Sequence, residues 1–281
     1  MSLYHLDGPL DLDAPVLIAA MDGWVDAGAA ASAAVELLAR DAVTVATFDP
    51  DELYDYRSRR PTLEIRDGRL DSLVWPALTV RRARFGGRDL LLLSGMEPDD
   101  RWRALGTAVV ELVRRLDVRA WISLGSIPAA VPHTRPVPVL GTESEPGLLR
   151  GDVPPGPTGL LRVPSAALSM LEMAVAAAGV AAVGYFAQIP HYVSGPYAPA
   201  SLELLRALER HLGIDLPHGD LVEDSRQLRL RLDAAVAADE TTRVYVERLE
   251  ATVDESRRPE GEDLISEIER FLRNRGGERD G

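Results

Sequence analysis

The fold is decided by the opening of the chain, Pro15-Val16-Leu17-Ile18-Ala19-Ala20, then Gly23-Trp24-Val25-Asp26-Ala27-Gly28, an alanine-rich run to Arg40, and Val43-Thr44-Val45-Ala46-Thr47-Phe48. The first segment is a short, nearly all-apolar run bounded by Pro and Gly, the pattern of a strand buried on both faces. The alanine-rich run has helical propensity, and Asp26 stands where an N-cap would. The last segment is rich in β-branched residues and reads as a strand. Strand, turn, helix and strand in that order are the unit from which parallel sheets are built.

Further elements follow the same signals. Leu78-Thr79-Val80 and Leu90-Leu91-Leu92-Leu93 flank Arg84-Phe85-Gly86-Gly87-Arg88, which predicts a hairpin. Apolar residues at Trp102, Leu105, Val109, Leu112, Val113 and Leu116 keep a period near 3.6, predicting a helix from about Arg101 to Leu116. Ala120–Leu124 and Ala181–Ala187 read as buried strands, and 137–140 as a short strand within a Gly- and Pro-rich stretch. Ser165 to Ala178 is predicted as a helix capped by Ser165, and Pro199 to Leu212 as another. After Pro217 the strands stop. Positions 221 to 253 carry a heptad-like stripe with a polar middle, expected to form one or two amphipathic helices. Leu264, Ile265, Ile268, Phe271 and Leu272 predict a short terminal helix. The expected organisation is an α/β core over 1–216, a helical region over 217–275 and a tail over 276–281.

Composition narrows the chemistry. The net charge of −13 disfavours nucleic acid and anionic membrane as partners. There is no cysteine, hence no thiol nucleophile, disulfide or thiolate metal site. All 31 basic residues are arginine, so no Schiff base, pyridoxal phosphate lysine or Walker A lysine can exist here. No run of 18 apolar residues and no basic leader is found, so a cytoplasmic location is the default expectation.

Ligands of open α/β sheets gather outside the carboxyl ends of strands, and three such transitions concentrate unusual residues. The first holds Asp22, Trp24 and Asp26; its glycines and helix N-terminus suit an anion, whereas a capping role for Asp26 is the ordinary alternative. The second runs from Gly125-Ser126 to His133-Thr134-Arg135. Ser126 and His133 are a nucleophile–base combination and Arg135 an anion ligand, although no GxSxG elbow surrounds Ser126. The third, Gln188 to Pro199, places Gln188, His191, Tyr192, Ser194 and Tyr197 in a proline-stiffened loop before a helix, suited to a ligand or partner, or to internal hydrogen bonding. His133 and His191 lack HxH or HExxH spacing, so no metal is expected. No cofactor is expected either.

Gly23-Trp24-Val25-Asp26-Ala27-Gly28, Glu97-Pro98-Asp99 with Trp102, Pro132-His133-Thr134-Arg135-Pro136, and Pro190-His191-Tyr192 through Ser194-Gly195-Pro196-Tyr197 together resemble the PAC2 (proteasome assembly chaperone 2) family in its actinobacterial form. So do Glu262-Asp263-Leu264-Ile265 and Ile268 to Leu272, and the likeness spans about residues 10–275. The resemblance implies a three-layer αβα core of the phosphorylase/hydrolase-like type, homo-oligomers with a trimer among the implied forms, and a proteasome-related protein partner. It also leaves a different reading open: a small-molecule-binding protein or enzyme using loops 125–136 and 188–199. The chain ends Glu278-Arg279-Asp280-Gly281, without the HbYX-type pattern by which assembly chaperones of this family can dock their tails.

Overall fold

The computed structural model describes residues 2–157 and 159–256. Along the chain run β1 (Tyr4–Leu6), β2 (Val16–Asp22), α1 (Ala30–Leu38), β3 (Val43–Phe48), α2 (Pro50–Leu53), β4 (Thr62–Arg66), β5 (Arg69–Val74), β6 (Leu78–Phe85), β7 (Arg88–Met96) and α3 (Trp102–Arg115). They are followed by β8 (Ala120–Ala129), β9 (Val139–Glu143), α4 (Ala167–Ala177), β10 (Ala181–Pro190), α5 (Ala198–Leu212), α6 (Leu221–Ala238) and α7 (Glu240–Ser256). The terminal helix expected at 264–272 and the tail lie outside the described residues.

Eight strands form one mixed sheet in the order β1-β3-β6-β7-β2-β8-β10-β9. Its centre, β7-β2-β8-β10, is parallel, and the flanking pairs are antiparallel. The near-continuous apolar run in β2 has its reason in this position. Val16, Ile18 and Ala20 pack into a core with α1 and α5, while Leu17, Ala19 and Met21 pack into a second core with α3 and α4. A strand covered by helices on both faces needs apolar side chains at every position. The result is the three-layer αβα arrangement.

The β6–β7 hairpin closes through Gly86 and Gly87, whose φ values of +55° and +81° match the twist of a two-residue turn and favour glycine at both positions. The apolar stripe of α3 is buried at Leu105, Val109, Leu112 and Val113. Ser165 corrects the capping expectation. Helix α4 starts at Ala167, and the Ser165 hydroxyl donates to the Ala166 carbonyl instead (3.0 Å). The acceptor for the Ala167 N–H is the carboxylate of Glu97 (2.7 Å).

Two features stand apart from the layered core. Strands β4 and β5 form a two-stranded ribbon, every residue of which is exposed. Cross-strand partners Leu63↔Leu73 and Ile65↔Leu70 give it an apolar face, and Glu64↔Ser72 and Arg66↔Arg69 a polar one. The polar side is tied by Ser72 to Glu64 (2.7 Å) and Arg66 to Asp71 (3.0 Å). At its base Trp75 meets Tyr56 edge to face. The other feature is the helical pair α6–α7. Helix α6 packs along α5 with no fully buried residue, and α7 buries Val246 and Leu249.

Candidate functional site

The carboxyl ends of β2, β7, β8 and β10 lie side by side, so the three loops singled out in the sequence emerge on one edge of the sheet. Asp26 sits in the turn after β2, where its Oδ1 accepts the N–H groups of Ala31 (2.8 Å) and Ser32 (3.2 Å) in the first turn of α1. That is the capping role, delivered from just upstream of a short 3₁₀ turn at Ala27–Ala29. Burial pushes the Asp26 carboxyl up, and its Oδ2 has no hydrogen-bond partner among the described residues. Asp22 and Trp24 point outward; the Trp24 ring is 65% exposed.

Ser126 is fully buried and donates its hydroxyl to the Ala27 carbonyl (2.7 Å), while its N–H donates to Val25 O (2.7 Å). Its proton is therefore committed to the main chain of the first loop. His133 is also committed. Tyr192 Oη accepts the His133 main-chain N–H (2.8 Å) and donates to Nδ1 (2.7 Å), which leaves Nε2–H to donate to Asp233 on α6 (3.2 Å). The nucleophile–base combination of Ser126 and His133 is thus not formed, because each spends its hydrogen-bonding capacity elsewhere.

Burial is the largest influence on His133 and lowers its pKa, helped by the nearby Arg229 and opposed by Asp233. His211, bonded to Tyr185 (2.8 Å), is also lowered by burial. Both imidazoles are neutral in the fold. In the unfolded chain they titrate near pH 6.5, at about their ordinary value. Below that pH the unfolded state binds more protons than the folded one, so stability is full above pH ~6.5 and falls as pH drops toward the lower folded values. Denaturation midpoints at pH 7.5 and 5.5 are expected to show this loss, with a smaller loss in His133→Asn. Equal losses in the two proteins would exclude His133 as a source.

The second and third loops are stitched together and covered by the C-terminal helices. His191 donates both its N–H and its Nδ1–H to the Ala129 carbonyl (3.1 and 2.9 Å), and its Nε2 accepts from the Tyr245 hydroxyl on α7 (3.1 Å). Arg135 grips Asp254 through Nε (2.9 Å) and Nη2 (2.7 Å), and reaches Glu250, which also takes the Thr134 hydroxyl. Arg229 binds Asp233 and donates to His133 O (2.9 Å). Beside this clasp lies an open cleft of about 450 Å³ lined by His133, Arg135 and Tyr197 among others. His191, which is exposed and bonds to Tyr245 of α7, and the half-buried Tyr192 are not among its lining residues. Gln188 and Ser194 are not part of it: the Gln188 N–H donates to Pro138 O (2.8 Å), and Ser194 is exposed.

Tyr197 joins the first and third loops. Its N–H donates to Gly28 O (2.9 Å), and a Cβ at Gly28 would meet the Tyr197 side chain at 2.9 Å. With φ at +62°, Gly28 has two reasons to be glycine. Burial raises the Tyr197 phenol well above its usual range.

The sequence reading overlooked Glu97 as a site residue. It is 7% exposed, and its two oxygens take the N–H groups of Trp24 (2.8 Å) and Ala167 (2.7 Å), fixing the first loop to the start of α4. Its signal was faint: one acid immediately after a buried strand.

Residues 20–236 match the model of the PAC2 family. The chain belongs to the PAC2 family. Among solved structures, a PAC2 family protein from Streptomyces avermitilis is 38% identical, with 83% of this chain and 99% of that one covered at a TM-score of 0.75. A Mycobacterium tuberculosis proteasome-assembly chaperone homologue is 33% identical over 82% of this chain and 99% of its own, again with a TM-score of 0.75. A Corynebacterium glutamicum protein is 32% identical over 90% and 97%, with a TM-score of 0.84. No curated protein matches the chain. In this PAC2 chain the motifs at residues 23–28, 97–99, 132–136 and 190–197 lie on the loops at one sheet edge. Among the described residues no helix is long and apolar enough to cross a membrane.

Proposed function

We propose that this PAC2 protein is a protein-assembly factor, with proteasome subunits as its client class and a homo-oligomer as its working state. The observation that carries this reading is the β4–β5 ribbon. A two-stranded hairpin is marginal in water on its own, yet Leu63, Ile65, Leu70 and Leu73 project from one with between 44% and 75% of their surface exposed. An apolar face of that kind is characteristic of a contact surface. Trp24, at the end of β2, adds an exposed indole, a residue type enriched at interface hot spots. The name of the mycobacterial relative supports the client class. By contrast, the side chains of Ser126, His133 and His191 are hydrogen-bonded within the chain, which favours the assembly reading over catalysis by those three groups.

The ribbon makes the reading testable without disturbing the core. In the double variant Leu63→Asp, Leu73→Asp the thermal midpoint should stay within about 2 °C of the parent, since exposed positions rarely cost more than ~0.5 kcal/mol each. Sedimentation velocity should show the parent as an oligomer and the variant dissociated. Surface plasmon resonance should show that binding of purified actinobacterial proteasome α-subunits is lost with Trp24→Ala or the ribbon variant. A parent that sediments as a monomer and binds neither α- nor β-subunits would sink the proposal.

A further inference from the structure

The cleft beside the clasp has a composition that partner binding does not explain. In a chain of net charge −13, its walls carry, among the described residues, four guanidinium groups, Arg135, Arg206, Arg226 and Arg229, against one carboxylate, Glu203. Three of the four are held by carboxylates that do not line the cleft. Arg226 is bound through two nitrogens by Glu223 (2.9 and 2.7 Å), Arg229 by Asp233 (2.9 Å) and Arg135 by Asp254. Such partners fix the planar groups in place and so lower the ordering cost of binding an anion. Arg206 is different: its contact is a long one, 3.5 Å, to Glu203.

The rest of the cleft fits a small ligand. Its volume, about 450 Å³, falls in the range of metabolite sites. Tyr197 and Leu202 give it apolar wall, while the Thr134 and Ser225 hydroxyls at its edge are donated to Glu250 and to the Leu221 carbonyl, which leaves the guanidinium groups as its donors. It lies past the carboxyl ends of β8 and β10, beside Pro199 in the first turn of α5, where the dipole of a 15-residue helix adds positive potential. The acidic surface elsewhere disfavours a long polyanion, which would have to run over it.

We propose that this cleft binds a small oligo-anion, a phosphorylated or polycarboxylate metabolite with two or more negative charges. Arginine forks match both phosphate and carboxylate groups. Because Arg206 lies on α5, Arg226 and Arg229 on α6, and Arg135 on the loop after β8, a bound anion bridges all three and strengthens the seating of α6. The proposal stands apart from the assembly role and can fail or succeed without it.

Isothermal titration at fixed ionic strength, with pyrophosphate in one arm and citrate in another against chloride, tests it on the full chain. At least one anion should bind with a Kd of about 0.1 mM or tighter. It should raise the thermal midpoint and slow amide exchange in α6. The stronger of the two identifies the headgroup chemistry. Arg206→Ala and Arg226→Ala, both at exposed side chains, should each weaken binding at least ~10-fold, about 1.4 kcal/mol. Arg57→Ala, remote and 89% exposed, should leave it unchanged. Absence of binding by both anions overturns the proposal. So does undiminished binding in both cleft variants, or binding of a poly-glutamate peptide with neither small anion.

Discussion

Replacing Glu97 by alanine is expected to destabilise the protein by about 3 kcal/mol, because the buried Ala167 N–H loses a charged acceptor worth roughly 1.5–3 kcal/mol and the part-buried Trp24 N–H loses a smaller amount. The two donors, Trp24 and Ala167, belong to segments far apart in sequence, so Glu97 joins parts of the chain that no local contact would hold together. For a domain of this size the loss corresponds to a fall of about 10 °C in the thermal midpoint. Glu97→Gln keeps the shape and one acceptor oxygen, so it should retain roughly half of the lost stability. Urea denaturation of the three proteins measures both. If alanine and glutamine variants were equally stable and within 1 kcal/mol of the parent (~ the worth of one ordinary hydrogen bond), the bridging role would be wrong. The Trp24 indole depends on that bridge for its presentation. Glu97→Ala should therefore weaken partner binding even at temperatures where the chain remains folded.

His133→Ala is expected to cost about 3 kcal/mol, the usual range for truncating a buried, doubly hydrogen-bonded side chain. It removes the acceptor of the Tyr192 hydroxyl and the donor to Asp233, and opens space at a 4% exposed position. The effect should be uneven. Helix α6 loses one of its ties to the loop, while Arg229 still reaches the His133 carbonyl. Hydrogen exchange should therefore accelerate in α6 and α7 well beyond the change in β2, β7 and β8. Uniform acceleration across sheet and helices would show instead that His133 supports the core as a whole. Tyr192→Phe isolates one bond and should cost about 1 kcal/mol by the same measurement.

The elements that were legible in the sequence share one physical property. Strands β2, β8 and β10 are covered on both faces, so their composition alone announces them, and the regular stripe of α3 announces a helix lying on a flat surface. The ribbon β4–β5 was not foreseen. Its pattern is broken by a bulge at Glu64/Ile65, and its apolar residues belong to neither core formed by the described residues. Local sequence favours Ser165 as a cap, yet Glu97, 70 residues from the Ala167 N–H it accepts, supplies the acceptor. The candidate site divides in the same way. Asp26 acts within six residues of itself and could be assigned. Arg135 finds Asp254 across 119 residues, and His133 finds Asp233 across 100, pairings that no local spacing encodes.

The way α7 is held has a mechanical consequence. Its contacts follow one another along the helix: Asp254 on Arg135, Glu250 on Thr134 and Arg135, Leu249 and Val246 buried, Tyr245 on His191. A pull applied at Ser256 reaches Asp254 before Glu250, Leu249, Val246 and Tyr245, taking the contacts turn by turn. The helix then peels in an unzipping geometry, each step breaking only the contacts of one turn. The parallel strands β7, β2, β8 and β10 resist such a load in shear, with many hydrogen bonds strained at once. Traction from the carboxyl side should therefore strip α7 and then α6 at low force, laying bare the His133 and His191 loops while the αβα core remains intact.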